Sequence, residues 1–198
     1  VFANNKFVVT CYDNIYSSTD GVTWTAADPI LTNVRSVTGS DSLFVAAGGS
    51  GKIYSSTDGI VWTEQEDTNV GYFYGAEYHD GLFLVGGSSS SGKIWSSSDG
   101  STWTENDTPF TASIQQIRYA NGYWVAVASS GYYGYSSDGI TWNAMKWKIG
   151  DTTQLESIYA VNGKTTLVGN SGTIVTFSDI TDRSTAVEAT SVDTTSTV

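Results

Sequence analysis

Ser56-Thr57-Asp58-Gly59-Ile60-Val61-Trp62 is the stretch on which the fold turns. Asp-Gly tolerates the positive φ of a tight hairpin, so the strands on either side are expected to pair antiparallel. The pattern returns three times, as Ser18-Thr19-Asp20-Gly21-Val22-Thr23-Trp24, Ser97-Ser98-Asp99-Gly100-Ser101-Thr102-Trp103 and Ser136-Ser137-Asp138-Gly139-Ile140-Thr141-Trp142. Successive tryptophans lie 38, 41 and 39 residues apart. A fixed stride of this size marks a repeat architecture.

Each repeat carries two further turn signals upstream. In the third these are Asp80-Gly81 and the Gly/Ser run from Gly86 to Gly92; in the fourth, Asn121-Gly122 and Ser129 to Gly131. Three turns per repeat leave room for four short strands. Apolar stretches such as Leu43-Phe44-Val45-Ala46-Ala47 and Tyr123-Trp124-Val125-Ala126-Val127 supply them. A lone four-stranded meander exposes two apolar faces, and several arranged radially bury those faces against one another. The expectation is therefore an all-β, five-bladed propeller. Its blades span about 1–26, 31–64, 72–105, 113–143 and 155–180, followed by a Ser/Thr-rich tail, 181–198. The fifth hairpin is degenerate, since Asp179 is followed by neither Gly nor Trp. Aligning Phe7-Val8-Val9 with Phe44-Val45-Ala46 puts Val1 inside an innermost strand. The echo of Arg35-Ser36-Val37 in Thr190-Ser191-Val192 makes the tail a candidate closing strand for blade one.

Composition narrows function by exclusion. Nine basic against 20 acidic side chains give a net charge of −11, which opposes binding to nucleic acid. No apolar run reaches the length of a membrane span. Cys11 is the single cysteine, so no internal disulfide and no thiolate metal cluster can form. The first residue is Val, which fits processing or excision from something longer.

The hairpin resembles the Asp-box, or BNR repeat, of sialidase-type propellers, of the YCF48-like photosystem assembly factors and of phage structural proteins. The resemblance covers four of the five repeats. One spacing departs: the commoner form has a residue between Asp and Gly, whereas Asp20, Asp58, Asp99 and Asp138 are each followed directly by Gly. The likeness implies that Ser, Asp, Gly and Trp are structural and lie away from the ligand face. Physically, the Asp accepts backbone hydrogen bonds, the Gly takes the left-handed conformation, and the Trp is buried between blades.

A sialidase-like site, as the family implies, needs three converging arginines. The chain has Arg35, Arg118 and Arg183. Between repeats Arg35 matches Gln115 and Arg118 matches Thr38, an offset of three that predicts opposite strand faces. His79, the sole histidine, sits by a turn and is expected in solvent, a poor place for a catalytic base. Zinc sites with several histidines are excluded by count. Glu64, Glu66, Asp67, Glu105, Asp107 and Asp151 are read as solvated charge in the loops joining blades, with calcium as the next reading. Asn106-Asp107-Thr108 fits a glycosylation acceptor.

The joining loops should share one face with the turns between second and third strands. Candidate binding residues there are Tyr72, Tyr74, Phe110, Tyr132, Tyr133 and Trp147, with Glu66 and Asp107. Aromatics among acidic and small polar groups suit sugars or protein docking. The leading expectation is a non-enzymatic recognition or assembly module, without cofactor or metal, outside a cell or on a virion. It would bind a glycan or another surface or virion protein. A lectin and a sialidase-like glycoside hydrolase are the alternatives.

Overall fold

The computed structural model describes residues 1–68, 71–87, 92–146 and 154–189. These form five four-stranded antiparallel sheets, each in chain order, so the protein is an all-β five-bladed propeller. Blade one holds β1 (Phe2–Ala3), β2 (Lys6–Thr10), β3 (Ile15–Ser18) and β4 (Thr25–Ala26). Blade two holds β5 (Val34–Gly39), β6 (Phe44–Gly48), β7 (Lys52–Ser56) and β8 (Thr63–Asp67). Blade three holds β9 (Phe73–His79), β10 (Leu82–Gly87), β11 (Ile94–Ser97) and β12 (Thr104–Asn106). Blade four holds β13 (Ile114–Ala120), β14 (Tyr123–Ala128), β15 (Tyr132–Ser136) and β16 (Asn143–Lys146). Blade five holds β17 (Leu155–Val161), β18 (Lys164–Gly169), β19 (Ile174–Phe177) and β20 (Ala186–Glu188).

Val1 stands just ahead of the innermost strand β1 and extends its ladder, exchanging two hydrogen bonds of 2.9 Å with Val8. Strand β20 comes from the segment read as tail. Without the Gly hairpin, Asp179 Oδ1 instead accepts from the Thr181 N–H, and a 3-10 turn over Arg183–Thr185 intervenes before the outer strand resumes. The expected pairing of Thr190-Ser191-Val192 with blade one lies outside the described residues.

Second strands show why the apolar runs are continuous. Phe44 and Ala46 pack with Val8 and Ile15 of blade one, while Val45 and Ala47 pack with Phe73, Phe83 and Val85 of blade three. Both faces of the strand are buried, so alternation disappears from the sequence. Four of the five first hairpin turns take positive φ at both central residues, at Asn4-Asn5, Asp80-Gly81, Asn121-Gly122 and Asn162-Gly163. This is the geometry that Asp-Gly and Asn-Gly favour.

The four Ser-x-Asp-Gly hairpins are built alike. Asp20 Oδ1 accepts from Thr23 N–H at 2.7 Å, Val22 N–H at 2.8 Å and Ser18 Oγ at 2.9 Å, while Ser18 Oγ accepts from Gly21 N–H at 2.9 Å. Asp58, Asp99 and Asp138 repeat the set. Three of the four glycines then meet the preceding blade at or beside its second strand: Gly59 faces Val8, Gly100 faces Leu43 and Val45, and Gly139 faces Leu82. Trp62 and Trp142 join the same interfaces.

These hydrogen bonds hold the carboxylates well below their ordinary range. The Thr23 and then Val22 N–H groups bring Asp20 to about 2, and those of Thr141 and Ile140 bring Asp138 to about 2. A folded-state pKa below the unfolded value gives stability that is present above the unfolded pKa, here 3.8, and lost as pH falls through about 2. Glu77 acts oppositely: burial raises it despite Arg118, so it favours folding at low pH. With several lowered carboxylates against one raised, the melting temperature should drop as pH falls from about 4 to 2. Asp138→Asn should flatten that drop, which a pH series of thermal melts reads directly.

Candidate functional site

The site begins with a backbone irregularity shared by four blades. In β5, Val34 and Ser36 pair with adjacent residues of β6, leaving Arg35 as the extra residue of a bulge. The same shift singles out Tyr74 in β9, Gln115 in β13 and Glu156 in β17. A bulge bends its strand and re-aims a side chain. All four residues line one cavity of about 420 Å³, together with Thr10, Cys11, Tyr12, Asn33 and Val34. The cavity opens where joining loops meet the turns between second and third strands, since Asn33 N–H bonds to Tyr12 O and Ser50 N–H to Gly71 O.

Arg35 lies over two tyrosines, with Cζ 4.7 Å from the Tyr72 centroid and 5.4 Å from that of Tyr74. The rings are stacked at 6.1 Å, 19° apart. Contact with the tyrosines limits the swing of the guanidinium while it stays exposed. Gln115 is oriented by Nε2 donating to Ser129 Oγ at 3.0 Å. The mouth thus offers a cation, an amide, a carboxylate and phenol groups from different blades.

Deeper in, the innermost strands line a second cavity of about 210 Å³ with Thr38, Glu77, Gln116, Arg118 and Glu156. Arg118 Nη1 donates to Glu77 Oε2 at 3.2 Å. Arg35 and Arg118 therefore both reach the channel, at different depths, where simple alternation had put them on opposite faces. The bulge at Arg35 breaks that alternation. They do not converge, and Arg118 is already paired.

Of the expected binding residues, Tyr72 and Tyr74 come together at the mouth. Phe110 and Tyr133 are corrected to core positions. Phe110 fills the space that Gly134 leaves, where a Cβ would come within 2.5 Å of Phe110 Cζ, and it packs on Trp142. Tyr133 is fully buried against Phe177, and burial pushes its hydroxyl up to about 12. Tyr132 lies further out on blade four under Lys146 Nζ, 5.1 Å from the centroid. Trp147 and Asp151 lie outside the described residues.

The acidic residues are also relocated. Glu64, Glu66 and Asp67 belong to β8 and Glu105 to β12, with Asp107 just beyond. Lys52 Nζ lies 2.6 Å from Glu64 and Lys93 Nζ 2.7 Å from Glu105, because Lys52 starts, and Lys93 immediately precedes, the neighbouring third strand. Among the described residues no three His, Cys, Asp or Glu side chains are grouped to hold a metal ion. Asn106 is buried, which disfavours its use as a glycosylation acceptor. His79 is not in open solvent: it ends β9, stacked on Tyr119 at 3.4 Å and edge-on to Trp124. Sequence reading missed Arg35, Gln115, Glu156 and Tyr12 as a set. The available signal was that the first three align between repeats at one position with three different polar residues.

Radial blades around a polar, bulge-lined channel define a β-propeller scaffold. Among solved structures the chain is similar to YCF48 from Cyanidioschyzon merolae (14% identity, 94% of this chain and 69% of that one, TM-score 0.65). It is similar as well to YCF48 bound to D1 peptide (15%, 84% and 57%, 0.60) and to the WD40 β-propeller domain of Doa1 (12%, 89% and 62%, 0.66). The chain spans about three fifths of the length of these propellers. No family model and no curated protein sequence matches it. Among the described residues no helix is long and apolar enough to cross a membrane.

Proposed function

We propose that this propeller is a non-enzymatic recognition module, acting outside a cell or on a particle surface such as a virion, that grips a polypeptide at the channel mouth. The observation that carries the reading is the set of bulge residues Arg35, Tyr74, Gln115 and Glu156, one per blade, gathered on one cavity. Unlike side chains converging on one opening suit a ligand that presents several different groups. An acidic side chain would pair with Arg35, backbone amides with Gln115 and Asn33, and a basic or N–H group with Glu156. A similarly folded propeller, YCF48, has been solved with a peptide bound, which makes polypeptide the first class to test. Glycan binding on Tyr72 and Tyr74 is the weaker reading, because Arg35 already covers that aromatic surface. The Ser-x-Asp-Gly hairpins fit an Asp-box-like scaffold of the kind found on phage particles.

The test is a peptide array run beside a glycan array, followed by Arg35→Ala on the best ligand. Affinity should fall about 30-fold, the effect of a hot-spot arginine worth about 2 kcal/mol, with the melting temperature unchanged. Glycan hits without peptide hits, or unchanged affinity in Arg35→Ala, would overturn the assignment.

A further inference from the structure

Four interfaces between consecutive blades are packed, and each has its own apolar cluster, joining blades one to two, two to three, three to four and four to five. No such cluster joins blade five to blade one among the described residues. The difference shows in the repeated parts. Trp62 and Trp142 are 5% and 6% exposed, whereas Trp24, in the same position of its hairpin, is 39% exposed. Gly59, Gly100 and Gly139 face the preceding blade, but a Cβ on Gly21 would meet only Phe7 of its own blade. Phe7 and Val9, which correspond to the buried Phe44 and Ala46, are exposed as well. On blade five the matching outward face, Thr166, Val168, Ile174 and Thr176, is only partly buried.

The blade one to blade two contact shows what such a face accepts. Its first turn reaches across, with Asn4 Nδ2 donating to Thr57 O at 3.3 Å and Lys6 Nζ to Asp58 O at 2.6 Å. Its receptor is the hairpin Ser56-Thr57-Asp58-Gly59. By strand register Asn4 and Lys6 correspond to Asn162 and Lys164 of blade five, and no other blade has this Asn-x-Lys turn. Likewise only blade one repeats the receptor spelling, as Ser18-Thr19-Asp20-Gly21. Asn162 and Lys164 are exposed, as are Thr19 and Asp20. Blade five thus carries the donor half of the blade one to blade two interface, and blade one carries an acceptor half that no described residue covers.

We propose that these two faces bind each other between copies of the chain: blade five of one copy docks on blade one of the next. Asn162 donates to Thr19 O, Lys164 to Asp20 O, and Trp24, Phe7 and Val9 pack on Thr166, Ile174 and Thr176. The interface is heterologous, so association proceeds head to tail.

The experiment uses two blocked chains, Phe7→Glu on the acceptor face and Lys164→Glu on the donor face. Light scattering should show the mass of the unaltered chain rising with concentration, while each variant stays monomeric. An equal mixture should give dimers and nothing larger, since each variant keeps one functional face. Lys164 is an exposed turn residue, so its variant remains informative if Phe7→Glu fails to fold. A chain that stays monomeric up to millimolar concentration, or a Lys164→Glu variant that associates like the unaltered chain, would refute the proposal. A monomer in which Trp24 becomes buried would refute it also, showing that the two faces close within one copy.

Discussion

Replacing Trp142 by alanine is expected to lower the unfolding free energy by about 3–5 kcal/mol, the usual cost of truncating a buried large aromatic. The ring is 6% exposed, its Nε1 donates to Gly139 O at 2.9 Å, and Phe110 of the segment joining blades three and four lies 6.0 Å away. Truncation opens a cavity between blades three and four and removes the indole N–H that bonds the hairpin carbonyl. For a chain of this size each kcal/mol lowers the melting temperature by roughly 2–4 °C. Trp24→Ala is the matched control: the same residue in the same repeat position, but with its ring 39% exposed. In dilute solution its loss should be less than half that of Trp142→Ala. Equal losses would show that burial between blades is not what the tryptophans contribute.

The second large effect runs against the repeat pattern. Phe177 occupies the position held by Ser18, Ser56, Ser97 and Ser136 in the other blades, as the pairings of second and third strands show. Phe177→Ser restores that pattern yet should destabilise the protein by about 3–5 kcal/mol. In the other blades the serine accepts from the N–H of a glycine held at positive φ three residues on, and blade five has Ile180 there, a residue that disfavours that conformation. Phe177 instead is fully buried, with its ring 5.0 Å from Tyr133 in the cluster that joins blades four and five. A serine would leave a cavity beside the ring of Tyr133, whose buried hydroxyl has no hydrogen-bond partner among the described residues. Thermal melts of the variant decide the matter, and an unchanged midpoint would mean that local hairpin chemistry outweighs the interblade core.

Much of the architecture was legible because it is local and repeated. Asp-Gly and Asn-Gly mark turns through backbone φ alone, and the Ser-x-Asp hydrogen bonds close within four residues of chain. The mouth was less legible. Tyr72 and Tyr74 were visible as aromatics near a joining loop, but nothing in their sequence neighbourhood shows that Arg35, almost forty residues earlier, lies over both. Phe110 and Tyr133 read as surface aromatics because they stand beside polar turns. Their burial depends on Gly134 and Phe177, partners that only folding brings near.

Sequence by itself determined the number of blades, the hairpins and the tryptophans that staple them, since those rest on short-range hydrogen bonds and a regular stride. Tertiary structure alone decided what the channel mouth presents and which faces stay uncovered. A single-residue bulge reverses the side to which a strand points its residues, and exposure depends on blades that are neighbours in space rather than along the chain.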